Sequence, residues 1–197
     1  MVTNHINFLE VPLLYTYVYP RPQSSLIKVE TWNNFFLSIL AKMWEAIPIR
    51  RGTSDFAAFR AAVKVLRQQK LLLVAPEGTR TGDGRLRRGK TGIVTLAVQT
   101  GVPVMPLVHY GGESFWSNLK RGRRTDFTFR AGPVFRVATE RRSFTPSKRQ
   151  EAADEIMAVI ASLLPPAYHG YYRDRIPEHY SHLRFEDGPG APVRQGE

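Results

Sequence analysis

Apolar residues recur at Trp32, Phe35, Phe36, Ile39, Leu40, Met43 and Trp44, an i, i+3, i+4, i+7 spacing that lines one face of an amphipathic helix. The stripe is aromatic enough for lipid contact, but a buried core face is the preferred reading. A second helix is expected with Ser54 or Asp55 as N-cap and with Phe56, Phe59, Val63 and Leu66 on one side. It leads into residues 71–75, a short apolar run closed by Pro76 that reads as a buried strand. A polar, glycine-rich loop over 77–89 follows, then a helix from about Lys90 to Thr100 that stops at Gly101. Residues 102–108 form another apolar strand. Strand, loop, helix and strand in that order make a βαβ unit, so the fold class is α/β, a mixed and largely parallel sheet flanked by helices. Residues 126–131 and 134–138 alternate like strands near a sheet edge. A last helix is expected to start at Ser147, where Ser147 and Gln150 have capping-box spacing, and to end before Pro165 and Pro166.

Length and composition narrow this picture. A chain of 197 residues, 43% of them hydrophobic, fits a single domain, expected over residues 1–168, with 169–197 as a polar, partly disordered tail. The longest apolar runs last only a few residues, against the roughly 20 that a spanning helix needs, so no transmembrane helix is expected. The first residues lack the basic and apolar regions of a secretory signal, and the absence of cysteine excludes disulfides and thiolate metal sites.

The net charge of +11 is unevenly spread: residues 120–149 hold ten basic and two acidic groups, whereas 150–197 hold four basic and eight acidic. Lys120, Arg121, Arg123, Arg124, Arg130, Arg136, Arg141 and Arg142 would attract a nucleic acid or an anionic bilayer alike, or simply form a solvated basic face. No nucleic-acid motif accompanies them, which favours a membrane dock and leaves no nucleic-acid partner expected.

Three short blocks carry candidate chemistry: Asn4-His5-Ile6-Asn7-Phe8-Leu9-Glu10, Pro76-Glu77-Gly78-Thr79-Arg80 and Gly101-Val102-Pro103-Val104-Met105-Pro106. With Ile47-Pro48-Ile49-Arg50-Arg51-Gly52 between the first two, they resemble in order and spacing the four motifs of the glycerolipid acyltransferases, over about residues 4–110. Leu164-Pro165-Pro166-Ala167-Tyr168 is a looser echo. The resemblance implies an acyl transfer from acyl-CoA or acyl carrier protein to the free hydroxyl of a lysophospholipid, 1-acylglycerol-3-phosphate above all. It implies no bound cofactor, and a peripheral position on the cytoplasmic face of a membrane. It assigns His5 as general base and Glu10 as its orienting acid.

That chemistry is physically reasonable, because a hydroxyl is a poor nucleophile at neutral pH until a nearby imidazole takes its proton. A carboxylate on the other ring nitrogen would fix the tautomer. Five residues in a continuous helix turn about 500°, so His5 is expected in a turn before a helix that begins near Glu10. By the same resemblance Arg51 and Arg80 hold the acceptor's phosphate with Lys90 beside them; Glu77, in a loop crowded with Arg, reads as the salt-bridge partner that positions Arg80 within the Glu77-Gly78-Thr79-Arg80 loop. The fourth block lines the acyl-chain path. Two positions depart from the family pattern: Glu10 stands where Asp is usual, and Gly89 replaces an aromatic residue before Lys90.

Other readings compete. The chain begins four residues before His5, as though a first strand were truncated, which fits a catalytically inactive membrane- or polyanion-binding relative. Residues 84–91 match the G-x-x-x-x-G-K-[ST] phosphate loop of nucleotide hydrolases, although the loop does not spring directly from a strand. His179 and His182 form H-x-x-H in a polar tail without further ligands, which is weak ground for zinc. The lack of a G-x-S-x-G elbow argues against an esterase of the α/β-hydrolase type.

Overall fold

A computed structural model of the chain describes residues 1–7, 9–50, 55–138 and 144–186. It divides into two compact units, one made of Met1 and the described residues of 8–74, the other of residues 2–7 and the described residues from 75 onward.

In the first unit the order is α1 (Glu10–Val18), β1 (Gln23–Lys28), a 3-10 turn (Val29–Asn33), α2 (Phe35–Met43), β2 (Ile47–Ile49), α3 (Phe56–Arg67) and β3 (Leu71–Leu73). The strands form a parallel sheet in the order β2-β1-β3, with Leu26 opposite Ile47 and Ser25 opposite Leu73. The central strand β1 is one the periodicity missed, because Ser24 and Ser25 interrupt its apolar run. Both serines are buried, and the Ser24 hydroxyl is satisfied by donating to the Glu45 carbonyl at 2.7 Å. Helix α3 starts where expected. Asp55 caps it by accepting from Ala58 N–H at 3.0 Å, and Ala58, Ala62 and Val63 form the buried face. Phe56 falls outside that face and is 71% exposed.

Helix α2 corrects an expectation. Its apolar residues do not form a core face: Phe35, Leu37, Ile39, Leu40 and Met43 are exposed, and among the described side chains of α2 only Ala41 is buried. A repeating apolar pattern shows which face of a helix is greasy; it does not show what covers that face. Trp44, just past the helix end, is half-buried against Tyr15, with ring centroids 5.0 Å apart and the Tyr15 hydroxyl donating to the Trp44 carbonyl at 2.7 Å.

The second unit contains α4 (Gly92–Thr100), β4 (Leu107–Tyr110), α5 (Phe115–Lys120), β5 (Thr128–Ala131), β6 (Phe135–Val137), α6 (Pro146–Leu163), two 3-10 turns (Pro166–Tyr168 and Gly170–Tyr172) and β7 (Leu183–Phe185). Its centre is α6, which buries Ala152, Ala153 and an unbroken run from Ile156 to Ala161. Against it packs α4, ended by Gly101 in the left-handed region at φ 66°. Strands β4 and β5 pair antiparallel, as do β6 and β7, and Val2 makes a parallel bridge to Pro106.

Three boundaries moved. The expected strand over 102–108 shrinks to single bridges at Val104 and Pro106 before β4 proper, because Pro103 and Pro106 cannot donate to a ladder. The helix after the glycine-rich loop begins at Gly92 rather than Lys90. The cap of α6 is Thr145, whose hydroxyl accepts from Lys148 N–H at 3.3 Å, with Pro146 at the first helical position. Ser147 instead donates to Glu151, and the Gln150 amide reaches the Gly89 carbonyl at 3.1 Å. Past α6, Tyr172 is fully buried and β7 joins a ribbon, so this polar segment supplies part of the core as far as it is described.

Candidate active site

The site grows from residues 2–7 of the second unit. Val2 is held in register by hydrogen bonds to Met105 and Leu107, both 2.9 Å. Asn4 is 1% exposed, and its side-chain amide mimics a neighbouring strand: Oδ1 accepts from His109 N–H at 3.0 Å and Nδ2 donates to the His109 carbonyl at 2.8 Å. His5 follows and is itself buried. Its N–H donates to Glu77 Oε1 at 2.8 Å, and its carbonyl accepts from Thr81 N–H at 2.8 Å and from the Thr81 hydroxyl at 3.2 Å. Helix α1 begins at Glu10, so His5 precedes it in the chain as the turn argument requires.

The loop after β3 carries the other half. The Glu77 carboxylate is 2% exposed, a burial that ionised groups accept only when hydrogen-bonded. It binds backbone on two sides, His5 N–H through Oε1 and Arg87 N–H through Oε2 at 2.9 Å. Through these two bonds Glu77 ties His5 to the loop. Gly78 has φ 67°, and a methyl group there would lie 3.0 Å from Cδ, Cε and Nζ of Lys90. The Lys90 chain thus runs closely over Gly78, while its N–H donates to the Pro76 carbonyl at 2.9 Å. Arg80 and Lys90 are exposed, and Thr79 is half-buried. Two exposed cations thus lie on the one loop that is hydrogen-bonded to the backbone of His5.

Gly89, the departure before Lys90, has a steric cause: a Cβ there would stand 2.5 Å from Cγ of Met157 in α6. Its N–H donates to the Tyr172 hydroxyl at 2.9 Å, and Tyr172 in turn donates to Asp154 at 2.7 Å. Burial raises the Tyr172 phenol pKa, so the group stays a neutral donor. These contacts also dispose of the nucleotide-loop reading. A phosphate loop needs free amides, whereas the N–H groups of Arg85, Leu86, Arg87, Gly89 and Lys90 already donate to Asp83, Tyr168, Glu77, Tyr172 and Pro76.

The structure therefore gathers His5, Glu77, Gly78, Thr79, Arg80 and Lys90 in one unit. Arg51 and the side chain of Glu10 lie outside the described residues, as do Arg141 and Arg142. The basic segment divides by role. The Arg130 guanidinium lies over the Tyr110 ring at 5.5 Å and Arg136 pairs with Glu186 at 2.8 Å, while Lys120, Arg121, Arg123 and Arg124 are exposed directly after the exposed Trp116 and Leu119 of α5. His182 is held by Glu155, through both its N–H and Nδ1, and among the described residues no group of three or more His, Asp or Glu could hold a metal ion. Sequence reasoning missed Thr81 and His109. The one signal for His109 is a histidine directly after an apolar run.

Residues 1–110 match the profile of a family described as Acyltransferase. A 1-acyl-sn-glycerol-3-phosphate acyltransferase of Limnanthes alba is 40% identical over 39% of this chain and 25% of its own length. One of Borreliella burgdorferi is 30% identical over 57% of this chain and 46% of its own, and one of Cocos nucifera 24% identical over 90% and 53%. The chain thus spans between a quarter and about half the length of these relatives. The crystal structure of the 1-acyl-sn-glycerophosphate acyltransferase PlsC of Thermotoga maritima aligns with 82% of this chain and 63% of its own, at a TM-score of 0.57 and 22% identity. That likeness establishes the α/β fold expected from the sequence.

Proposed function

The chain belongs to the Acyltransferase family, and from that premise we propose that it moves a fatty acyl group from acyl-CoA or acyl carrier protein to the free hydroxyl of 1-acylglycerol-3-phosphate, giving phosphatidic acid. One observation carries the reading: a buried histidine whose peptide is bonded to the same loop that presents Arg80 and Lys90. The His5 imidazole takes the proton of the acceptor hydroxyl as its oxygen attacks the thioester carbonyl. The tetrahedral intermediate collapses, the carbon–sulfur bond breaks, and the leaving thiolate recovers the proton from the imidazolium. Ester and thiol are the products. Glu10 orients the imidazole, Arg80, Lys90 and Arg51 hold the phosphate, and the thioester carrier is a substrate, not a resident cofactor.

None of the described helices is long and apolar enough to cross a membrane. The enzyme reaches its lipid acceptor by docking on an anionic bilayer surface, on the cytoplasmic face. The exposed Trp116 and Leu119 beside four cations at 120–124 support that reading, since aromatic and cationic groups favour the headgroup layer. The test is direct. Purified protein is given a long-chain acyl-CoA or acyl carrier protein thioester with 1-acylglycerol-3-phosphate, and phosphatidic acid is measured by mass spectrometry. Product with at least one donor is expected. No product with either, while anionic vesicles are still bound, would mark an inactive lipid-binding relative instead.

A further inference from the structure

We propose that His109 is a positioning residue for His5, acting through the peptide bond that joins Asn4 to His5. The proposal rests on the reading of His5 as the base. Both polar groups of that peptide are gripped by buried side chains: the carbonyl of Asn4 lies 3.1 Å from His109 Nε2, and the N–H of His5 lies 2.8 Å from Glu77 Oε1. A carbonyl oxygen can only accept, so Nε2 of His109 is the protonated nitrogen.

The grip is reciprocal, since the Asn4 side chain holds the N–H and carbonyl of His109 itself. Asn4 and His109 are each 1% exposed, so this three-bond clasp is shielded from water, and without His109 Nε2 the Asn4 carbonyl keeps only the longer bond from the Thr3 hydroxyl at 3.3 Å. The His109 ring is steadied by Phe129, with centroids 5.9 Å apart. Rotation of the peptide plane would break the bonds to His109 and Glu77 together. The backbone of His5 is thereby fixed before substrate arrives, and the reach of its imidazole toward a hydroxyl depends on that fixity, because proton transfer tolerates only tenths of an ångström. A histidine serving merely as core filling would have no such effect.

The experiment compares His109→Phe, which keeps the bulk and removes the donor, with His109→Gln, whose side-chain amide restores a donor at similar reach. Steady-state kinetics are read with 1-acylglycerol-3-phosphate. His109→Phe is expected to lower kcat about tenfold or more while both KM values stay within about twofold, and His109→Gln to recover kcat to within about threefold of wild type. An unchanged kcat in a folded His109→Phe protein, or a His109→Gln protein as slow as His109→Phe, overturns the proposal.

A second readout needs no activity and no variant. Long-range proton–nitrogen spectra of the wild-type histidine rings should show His109 protonated at Nε2 from pH 6 to 8. An Nε2 without a proton overturns the clasp even if His109→Phe fails to fold. A wild type that transfers no acyl group refutes the function assigned to His5 but leaves the spectrum as the judge of the clasp.

Discussion

Lys90 runs so closely over Gly78 that the two positions cannot be altered independently. Gly78→Ala adds a methyl group 3.0 Å from the end of that flexible chain and strains a backbone at φ 67°. The lysine yields more easily than the loop. The expected outcome is a several-fold rise in KM for 1-acylglycerol-3-phosphate with a smaller change in kcat, seen in initial-rate kinetics; an unchanged KM would take Lys90 out of the acceptor site. At this scale the motif residues were legible because their chemistry demands particular side chains at short spacings. Their supports were not. Glu77 binds the amides of His5 and Arg87, and a bond to a backbone amide leaves no trace in the side-chain pattern of its partner. His109 stands 105 residues from Asn4, so only the folded chain brings them together.

Among the elements, α3 offers a test tied to pH. Backbone N–H groups of Ala58 and Arg50 hold the Asp55 carboxyl below its ordinary pKa. A carboxyl whose folded pKa is depressed stabilises the fold above its unfolded pKa, and that contribution is lost as pH falls through the folded one. Asp55→Ala should therefore lower the melting temperature at pH 7, and the gap from wild type should narrow as the solution becomes acidic. A gap constant from pH 7 to pH 3 would contradict the cap. The start of α3 was readable because a capping carboxylate must sit next to its helix. The start of α6 was misplaced by two residues, since Thr145, Ser147 and Gln150 all have hydroxyl or amide groups suited to a helix start and only the structure shows that Gln150 is spent on Gly89. Strand β1 was hidden by two buried serines, of which Ser24 is satisfied by donating to the Glu45 carbonyl.

For the molecule as a whole, charge governs the proposed docking on lipid. The net +11 is concentrated over 120–149, and the cations at 120–124 follow exposed apolar side chains of α5. Binding to vesicles containing anionic lipid should weaken steeply with salt and with joint replacement of Lys120, Arg121, Arg123 and Arg124 by Gln, each cation contributing about 1 kcal/mol near the surface. Trp116→Ala should weaken it without changing the salt dependence. Equal binding to neutral and anionic vesicles, measured by sedimentation, would remove this face from the account. The central claim concerns the imidazole at the amino end of that same unit. The measurement that tests it most directly is kcat/KM for acyl transfer to 1-acylglycerol-3-phosphate by wild type and by His5→Ala, with circular dichroism to establish that both are folded. Loss of a general base predicts a fall of about 10²–10⁴-fold. Equal values in two folded proteins would contradict it.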